Sequence, residues 1–114
     1  MIALALLLQA AAPAPAGGPT TCGYDMASMV ACTMADGKVW DQRMAAAYRA
    51  ALAGVPEPQK APLAAAQKAW PAWRDLNCRV YAAAEGTLRA LAVAECGRRM
   101  TRERAQELER LTPP

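Results

Sequence analysis

The chain has 114 residues, of which 54% are hydrophobic. It contains no His and no Phe, and its net charge is +3. This length suffices for one domain. The absence of His removes the usual general base and the most common metal ligand. The small net charge, with its signs interspersed, is not the basic surface of a nucleic-acid-binding protein. The composition therefore argues against a histidine-dependent enzyme, a metal site or cofactor, and a nucleic-acid partner.

The N-terminus has the features of a signal peptide. An apolar run, Met1 to Leu8, precedes small residues, as in a secretory leader with its cleavage site. Ala14-Pro15-Ala16 predicts cleavage before Gly17, and Ala10-Ala11-Ala12 is a second candidate. The run is shorter than the roughly 20 residues that a membrane span needs. We expect a bacterial periplasmic or secreted protein. Its expected divisions are a signal peptide at 1–16, a flexible lead at 17–21 and a helical domain at 22–112.

The rest of the chain is rich in Ala, Leu, Met, Arg, Gln and Glu, which favour helix. Apolar residues recur at steps of three and four over residues 24–53, which predicts a first long helix. Asp36-Gly37 is a weak point within it, and Gly54 to Pro58 should end it. Strand-like alternation is absent from the sequence, so the predicted fold class is all-α.

A second helix is expected to begin near Pro62, a residue suited to a first helical turn. Pro71 lies inside the helical pattern and should kink it, and the alternative is two shorter helices meeting at Trp70. We favour the kink because the apolar stripe keeps its phase across the proline. That stripe comprises Leu63, Ala66, Trp70, Trp73, Asn77, Val80 and Ala84.

The segment Glu85-Gly86-Thr87 predicts a break, after which Thr87 would cap a third helix that ends near Gly97. Thr101 would cap a fourth helix, with Glu103 and Glu107 near its positive end. The expected architecture is a small helical hairpin or bundle of three to four helices. Helices one and two form the hairpin, and the short helices fold back onto it.

Four cysteines, at positions 22, 32, 78 and 96, indicate a framework of two disulfides in an exported chain. No pair has the C-x-x-C spacing of a zinc or thioredoxin-type site. Three connectivities are open. If helices one and two are antiparallel, Cys32 and Cys78 differ in level by only about 8 Å, whereas Cys22 and Cys78 differ by about 20 Å. This geometry favours Cys32–Cys78 with Cys22–Cys96.

The most specific motif is the stretch from Gln67 to Cys78, which reads QKAWPAWRDLNC. It resembles the signature Q-x-x-W-x-x-[aromatic]-R-D-x-x-C of the lysozyme inhibitor LprI-like domain family. The segment from Asp41 to Tyr48 resembles the family's D-x-x-L-N-x-x-Y, and the segment from Thr101 to Leu108 resembles its T-x-x-R-x-x-E-L. The four cysteines also match in order. The chain departs from the family pattern at Ala45, Pro71 and Glu85.

The resemblance implies a secreted or envelope-anchored helical domain, in a family with at least one lipoprotein member that inhibits c-type lysozyme. The matching positions, which we expect to be structural, are Asp41, Tyr48, Gln67, Trp70, Trp73, Arg74, Asp75, Gly86, Thr101 and Arg104.

Several of these residues are expected to pack or to form ion pairs between helices. Trp70 and Trp73 are three apart, so both can face a partner helix. Arg74 and Asp75 are adjacent and point in different directions, so each should pair with a neighbouring element rather than with the other. Asp41 lies near the level of Arg74 across the hairpin and is its expected partner. Gln67 is expected to satisfy the backbone at the turn or kink.

We expect one of two functions. The first is a protein that binds and inhibits a lysozyme-type muramidase, although a charge of +3 opposes long-range attraction to a basic lysozyme. The alternative is a non-inhibitory structural or interaction module of the periplasm with another protein partner. An enzyme is not expected, because the Ser and Thr hydroxyls lack a positioned base. The glutamates, Glu85, Glu95, Glu103, Glu107 and Glu109, have the pattern of exposed helix charges.

Overall fold

The computed structural model describes residues 22–84 and 86–112. Within them the chain forms three helices, α1 (Met26–Gly54), α2 (Glu57–Ala82) and α3 (Arg89–Arg110), and no strand. Two disulfides staple the domain. The all-α prediction is therefore confirmed. The expected signal peptide, flexible lead and Glu85 lie outside the described residues.

The α1 helix begins at a side-chain cap. The Asp25 carboxylate accepts a hydrogen bond from the Ser28 backbone N–H at 3.0 Å, which satisfies a donor that has no partner inside the helix. The helix runs without interruption through Asp36-Gly37 and includes Gly54 as its last residue. The Val55 N–H closes its end by donating to the Ala51 carbonyl at 2.9 Å.

The α2 helix begins at Glu57, earlier than the expected start at Pro62. Pro58 lies in its first turn, where a missing N–H costs nothing because that group has no helical acceptor. Both Pro62 and Pro71 are accommodated inside one continuous helix. The alternative of two shorter helices meeting at Trp70 is therefore excluded.

The α3 helix is a single element where two short ones were predicted. Gly97 lies within it, and Thr101 does not cap a new helix. The Thr101 hydroxyl instead donates to the Gly97 carbonyl at 2.7 Å, the back-bonding available to a mid-helix threonine. The residue preceding the helix is Leu88 rather than Thr87, and it makes no side-chain cap. Gly86 has φ +114°, which favours glycine in the turn before α3.

The core lies mainly between α1 and α3. The α3 helix packs extensively on α1 and less on α2, while α1 and α2 contact each other little. The main buried cluster consists of Met44, Ala47, Ala105 and Leu108. Two of these four are alanines, whose small side chains let the helix backbones approach closely. Trp40, Tyr48, Leu63 and Trp70 are partly buried and pack around this cluster.

The favoured disulfide pairing was wrong. The observed bridges are Cys22–Cys32 and Cys78–Cys96, with Cα–Cα distances of 6.0 and 5.6 Å. The predicted pairing of Cys32 with Cys78 and of Cys22 with Cys96 assumed that α1 and α2 pack side by side, which would have brought Cys32 close to Cys78. Because α3 makes most of the interhelical contacts, Cys78 meets α3 instead, and the chain before α1 folds back onto α1. Each bridge therefore closes a short local loop.

Candidate functional site

A polar network joins the three helices, with Arg74 of α2 at its centre. The Arg74 guanidinium donates from Nη1 to the Asp41 carboxylate of α1 at 3.3 Å and to the Thr101 hydroxyl of α3 at 3.4 Å. It also lies over the Trp70 ring, 5.1 Å from the ring centroid, within cation–π distance. The predicted pairing of Arg74 with Asp41 is confirmed.

Two expectations about this network were wrong. Arg74 and Asp75 do pair with each other, because Arg74 Nε donates to Asp75 Oδ1 at 3.0 Å. Gln67 does not serve the backbone of a turn or kink. Its side-chain oxygen accepts from Arg104 Nε of α3 at 3.0 Å. Arg104 also donates to Glu107 at 3.0 Å, so a second chain of hydrogen bonds connects α2 with α3.

Most of the family-signature residues meet at this junction. The structure brings together Asp41, Gln67, Trp70, Arg74, Asp75, Thr101 and Arg104. Tyr48 packs on the core between α1 and α3, and Gly86 lies in the turn before α3. At the junction, Arg74 and Gln67 of α2 hydrogen-bond to side chains of α1 and α3.

A cleft of about 280 Å³ opens beside the junction. Arg98 forms part of its wall and pairs with Glu95 at 2.8 Å and with Asp36 of α1 at 3.4 Å. The hydrogen bonds that Arg98 donates to the Glu95 carboxylate, followed by the one it donates to Asp36, raise the pKa of the Arg98 guanidinium. The charged groups of this cleft are thus largely paired within the protein.

A second opening, of about 330 Å³, lies between α2 and α3. We call it the α2–α3 groove, and its lining residues are Trp70, Trp73, Met100, Glu103, Arg104 and Glu107. Trp73 is 58% exposed, so the expectation that both tryptophans pack inward holds for Trp70 only. The groove therefore combines an exposed aromatic ring with two carboxylates.

An apolar stripe continues from the groove along α2. Trp73, Leu76 and Val80 are all exposed, and their spacing places them on one face of the helix. The predicted inward stripe included Trp73 and Val80. Of the predicted stripe, Leu63, Trp70 and Asn77 are half-buried, whereas Ala66, Trp73, Val80 and Ala84 are exposed. Gln67, Arg74 and Cys78 lie on the buried or half-buried side as well. The spacing of three and four residues from Trp73 to Val80 was a signal for this second apolar face.

Among residues 22–84 and 86–112, no group of three His, Cys, Asp or Glu side chains is arranged to hold a metal ion. None of the three helices is both long enough and apolar enough to cross a membrane.

The family assignment follows from comparison with known proteins. No curated protein and no solved structure is significantly similar to the chain. Residues 20–108 match the family model described as lysozyme inhibitor LprI. This match covers most of the chain and contains the signature residues of the helix junction. The chain belongs to the LprI family.

Proposed function

We propose that this protein is exported to the cell envelope, where it binds and inhibits a lysozyme-type muramidase. The observation that carries the proposal is the match to the lysozyme inhibitor LprI family over residues 20–108. The apolar run from Met1 to Leu8, followed by small residues, supports export. The proposed role is binding rather than catalysis.

The architecture suits a rigid binding protein. The Cys78–Cys96 disulfide joins α2 to α3, and the Arg74 network joins α2 to both α1 and α3. A surface that is already ordered loses less conformational entropy when it binds, so more of the contact energy appears as affinity. Trp73 is exposed on the surface of this domain. Tryptophan is among the residue types most enriched at binding hot spots.

The charge distribution indicates how binding to a basic enzyme can occur. The net charge of +3 gives no long-range steering toward a cationic partner. Glu103 and Glu107 nevertheless stand at the α2–α3 groove, so the local charge differs from the average. Short-range complementarity of this kind determines register and dissociation rate rather than encounter rate.

Isothermal titration calorimetry of the oxidised protein into a c-type lysozyme tests the proposal. We expect a saturable one-to-one complex, and no binding to cytochrome c, a small basic protein without muramidase activity. Absence of binding to lysozymes at tens of micromolar would reject the inhibitor role. The periplasmic interaction module with another partner would then be the better description.

A further inference from the structure

We infer that the α2–α3 groove receives a cationic side chain, an arginine or lysine, from the target muramidase. The inference rests on the proposed function and deepens it by naming the contact surface and the chemistry that it recognises. Three features of the groove carry it: an exposed aromatic ring, two outward carboxylates, and an adjoining apolar stripe.

The aromatic ring belongs to Trp73, which lines the groove and is 58% exposed. The face of an indole attracts a guanidinium or ammonium group, and Trp is the strongest of the aromatic side chains in this respect. The protein uses the same contact internally, because Arg74 lies over Trp70 and Arg43 lies over Trp40 at 4.8 Å. An arginine from a partner would repeat this contact at Trp73.

The carboxylates belong to Glu103 and Glu107, which are four residues apart on α3 and therefore share one face. Their side chains are each 57% exposed. Glu103 pairs with Arg99 at 3.6 Å, and Glu107 pairs with Arg104 at 3.0 Å. A carboxylate has about four lone-pair sites, so each can accept a further donor from a partner.

The arginine that lines the groove, Arg104, is largely buried. The Arg104 side chain is only 11% exposed, and its Nε is committed to Gln67 at 3.0 Å. The charged side chains that line the groove are therefore two carboxylates and one largely covered guanidinium, while Arg99 pairs with Glu103 from outside the lining. The lining has a net negative charge, on a protein whose net charge is positive.

The apolar stripe extends the contact beyond the groove. Leu76 and Val80 follow Trp73 along the exposed face of α2. An aromatic anchor beside a charged pocket, flanked by apolar contacts that exclude water, is the arrangement found at interface hot spots. Water exclusion also strengthens the ion pairs formed in the groove.

The test measures the affinity of groove variants for c-type lysozyme by calorimetry, after wild-type binding has been established. Trp73→Ala removes the ring, Trp73→Phe retains an aromatic face, and Glu103→Gln with Glu107→Gln removes both charges. Tyr24→Ala and Glu57→Gln are matched controls, because Tyr24 is a 98% exposed aromatic residue elsewhere and Glu57 is an exposed carboxylate in the first turn of α2. Circular dichroism checks the fold of each variant.

We expect Trp73→Ala to weaken binding about thirtyfold and Trp73→Phe about threefold or less. The double glutamine variant should bind about tenfold more weakly and show a shallower dependence of affinity on salt, since fewer ion pairs form. Both controls should stay within about twofold of wild type. If wild type binds but the groove variants match it, the groove is not the contact surface, and the proposed function survives. If wild type does not bind, both proposals are rejected.

Discussion

Arg74 of α2 and Asp41 of α1 form an ion pair of 3.3 Å across 33 residues of sequence, and Thr101 of α3 completes the junction at 3.4 Å from the same guanidinium nitrogen. One side chain thus contacts all three helices. The α1 and α2 helices otherwise touch little, so the Arg74–Asp41 ion pair is a direct contact between two helices that are both packed mainly on α3.

Replacement of Arg74 should therefore loosen α2. Arg74→Met keeps the apolar stem but removes the hydrogen bonds to Asp41 and Thr101, and we expect a loss of about 1–2 kcal/mol in the free energy of unfolding. Urea denaturation measures this loss. The exposed Arg79→Met, on the same helix, serves as the control and should change stability little. Equal effects of the two substitutions would contradict a central role for Arg74.

The disulfide pairing can be read from one tryptic digest of the oxidised protein. Lys38 is the first basic residue, so Cys22 and Cys32 fall in one N-terminal peptide. Cys78 and Cys96 fall in peptides 75–79 and 90–98. We expect an internally bridged N-terminal peptide and a cross-linked pair of the other two. A species that joins all three peptides would contradict this pairing, because it forms only if Cys22 and Cys32 are each bridged to Cys78 or Cys96.

The two bridges should differ in their contribution to stability. Closing the 18-residue separation between Cys78 and Cys96 stabilises by about 3 kcal/mol in the chain-entropy description. This bridge is also buried beside Met100, so its removal with Cys78→Ala and Cys96→Ala leaves a packing defect. Thermal unfolding should show a larger decrease in Tm for this variant than for Cys22→Ala with Cys32→Ala, where Cys22 is exposed. The reverse order would contradict the assignment of Cys78–Cys96 to the core.

The alanine packing between α1 and α3 should not tolerate a larger side chain. Ala105 has an exposed fraction of 0% and packs in the cluster with Met44 and Leu108. Ala105→Leu should cost about 1–3 kcal/mol by overpacking. Ala46→Leu, at an exposed position of α1, is the control with the same added volume. A urea midpoint for Ala105→Leu equal to that of wild type would show that α1 and α3 are not closely packed there.

The Arg43–Glu109 pair should make stability depend on acid pH. Arg43 donates from Nη2 to Glu109 Oε2 at 2.8 Å and also from Nε to the other carboxylate oxygen. These hydrogen bonds hold the pKa of Glu109 below its usual value, and they raise the pKa of Arg43. Because the folded-state pKa of Glu109 is lowered, the stabilisation is present above the unfolded value of about 4.3 and is lost as pH falls through the folded value.

Glu109→Gln should accordingly lower Tm near neutral pH in low salt, and the difference from wild type should vanish at strongly acid pH. The effect should be small and reduced by salt, since Arg43 is exposed and Glu109 is partly exposed. Tm measured against pH for both proteins tests this. A difference that persists unchanged in acid would show that the charge of Glu109 is not its cause.

The sequence predicted the helical class, the two-disulfide framework and the Arg74–Asp41 pair, because these depend on composition, cysteine number and helical rise. It did not predict which side of α2 is buried. Apolar periodicity placed Trp73 and Val80 inside, whereas Gln67 and Arg74 lie on the inner side instead. These two polar residues are accommodated because Arg104, Asp41 and Thr101 supply their partners. Local periodicity does not show whether a polar side chain finds hydrogen-bond partners in a distant part of the chain.

The disulfide pairing and the α2–α3 groove escaped prediction for a related reason. The disulfide pairing depends on α2 packing against α3 rather than against α1. The groove also depends on α3 being one continuous helix, while Gly97 and Thr101 suggested a break in the middle. A mid-helix threonine that bonds back to the Gly97 carbonyl has the same sequence pattern as a cap. Glu103 and Glu107 were recognised as exposed charges, but their position opposite Trp73 required the helix packing to be known.

The most direct test of the central claim is the initial rate of bacterial cell-wall lysis by c-type lysozyme, followed by turbidity while the purified, oxidised protein is titrated. Membership of the LprI family and the fixed, exposed surface of α2 predict a saturable decrease in lysis rate, and the same titration with Trp73→Ala should require much more protein. A lysis rate that stays constant up to tens of micromolar protein would contradict the inhibitor function.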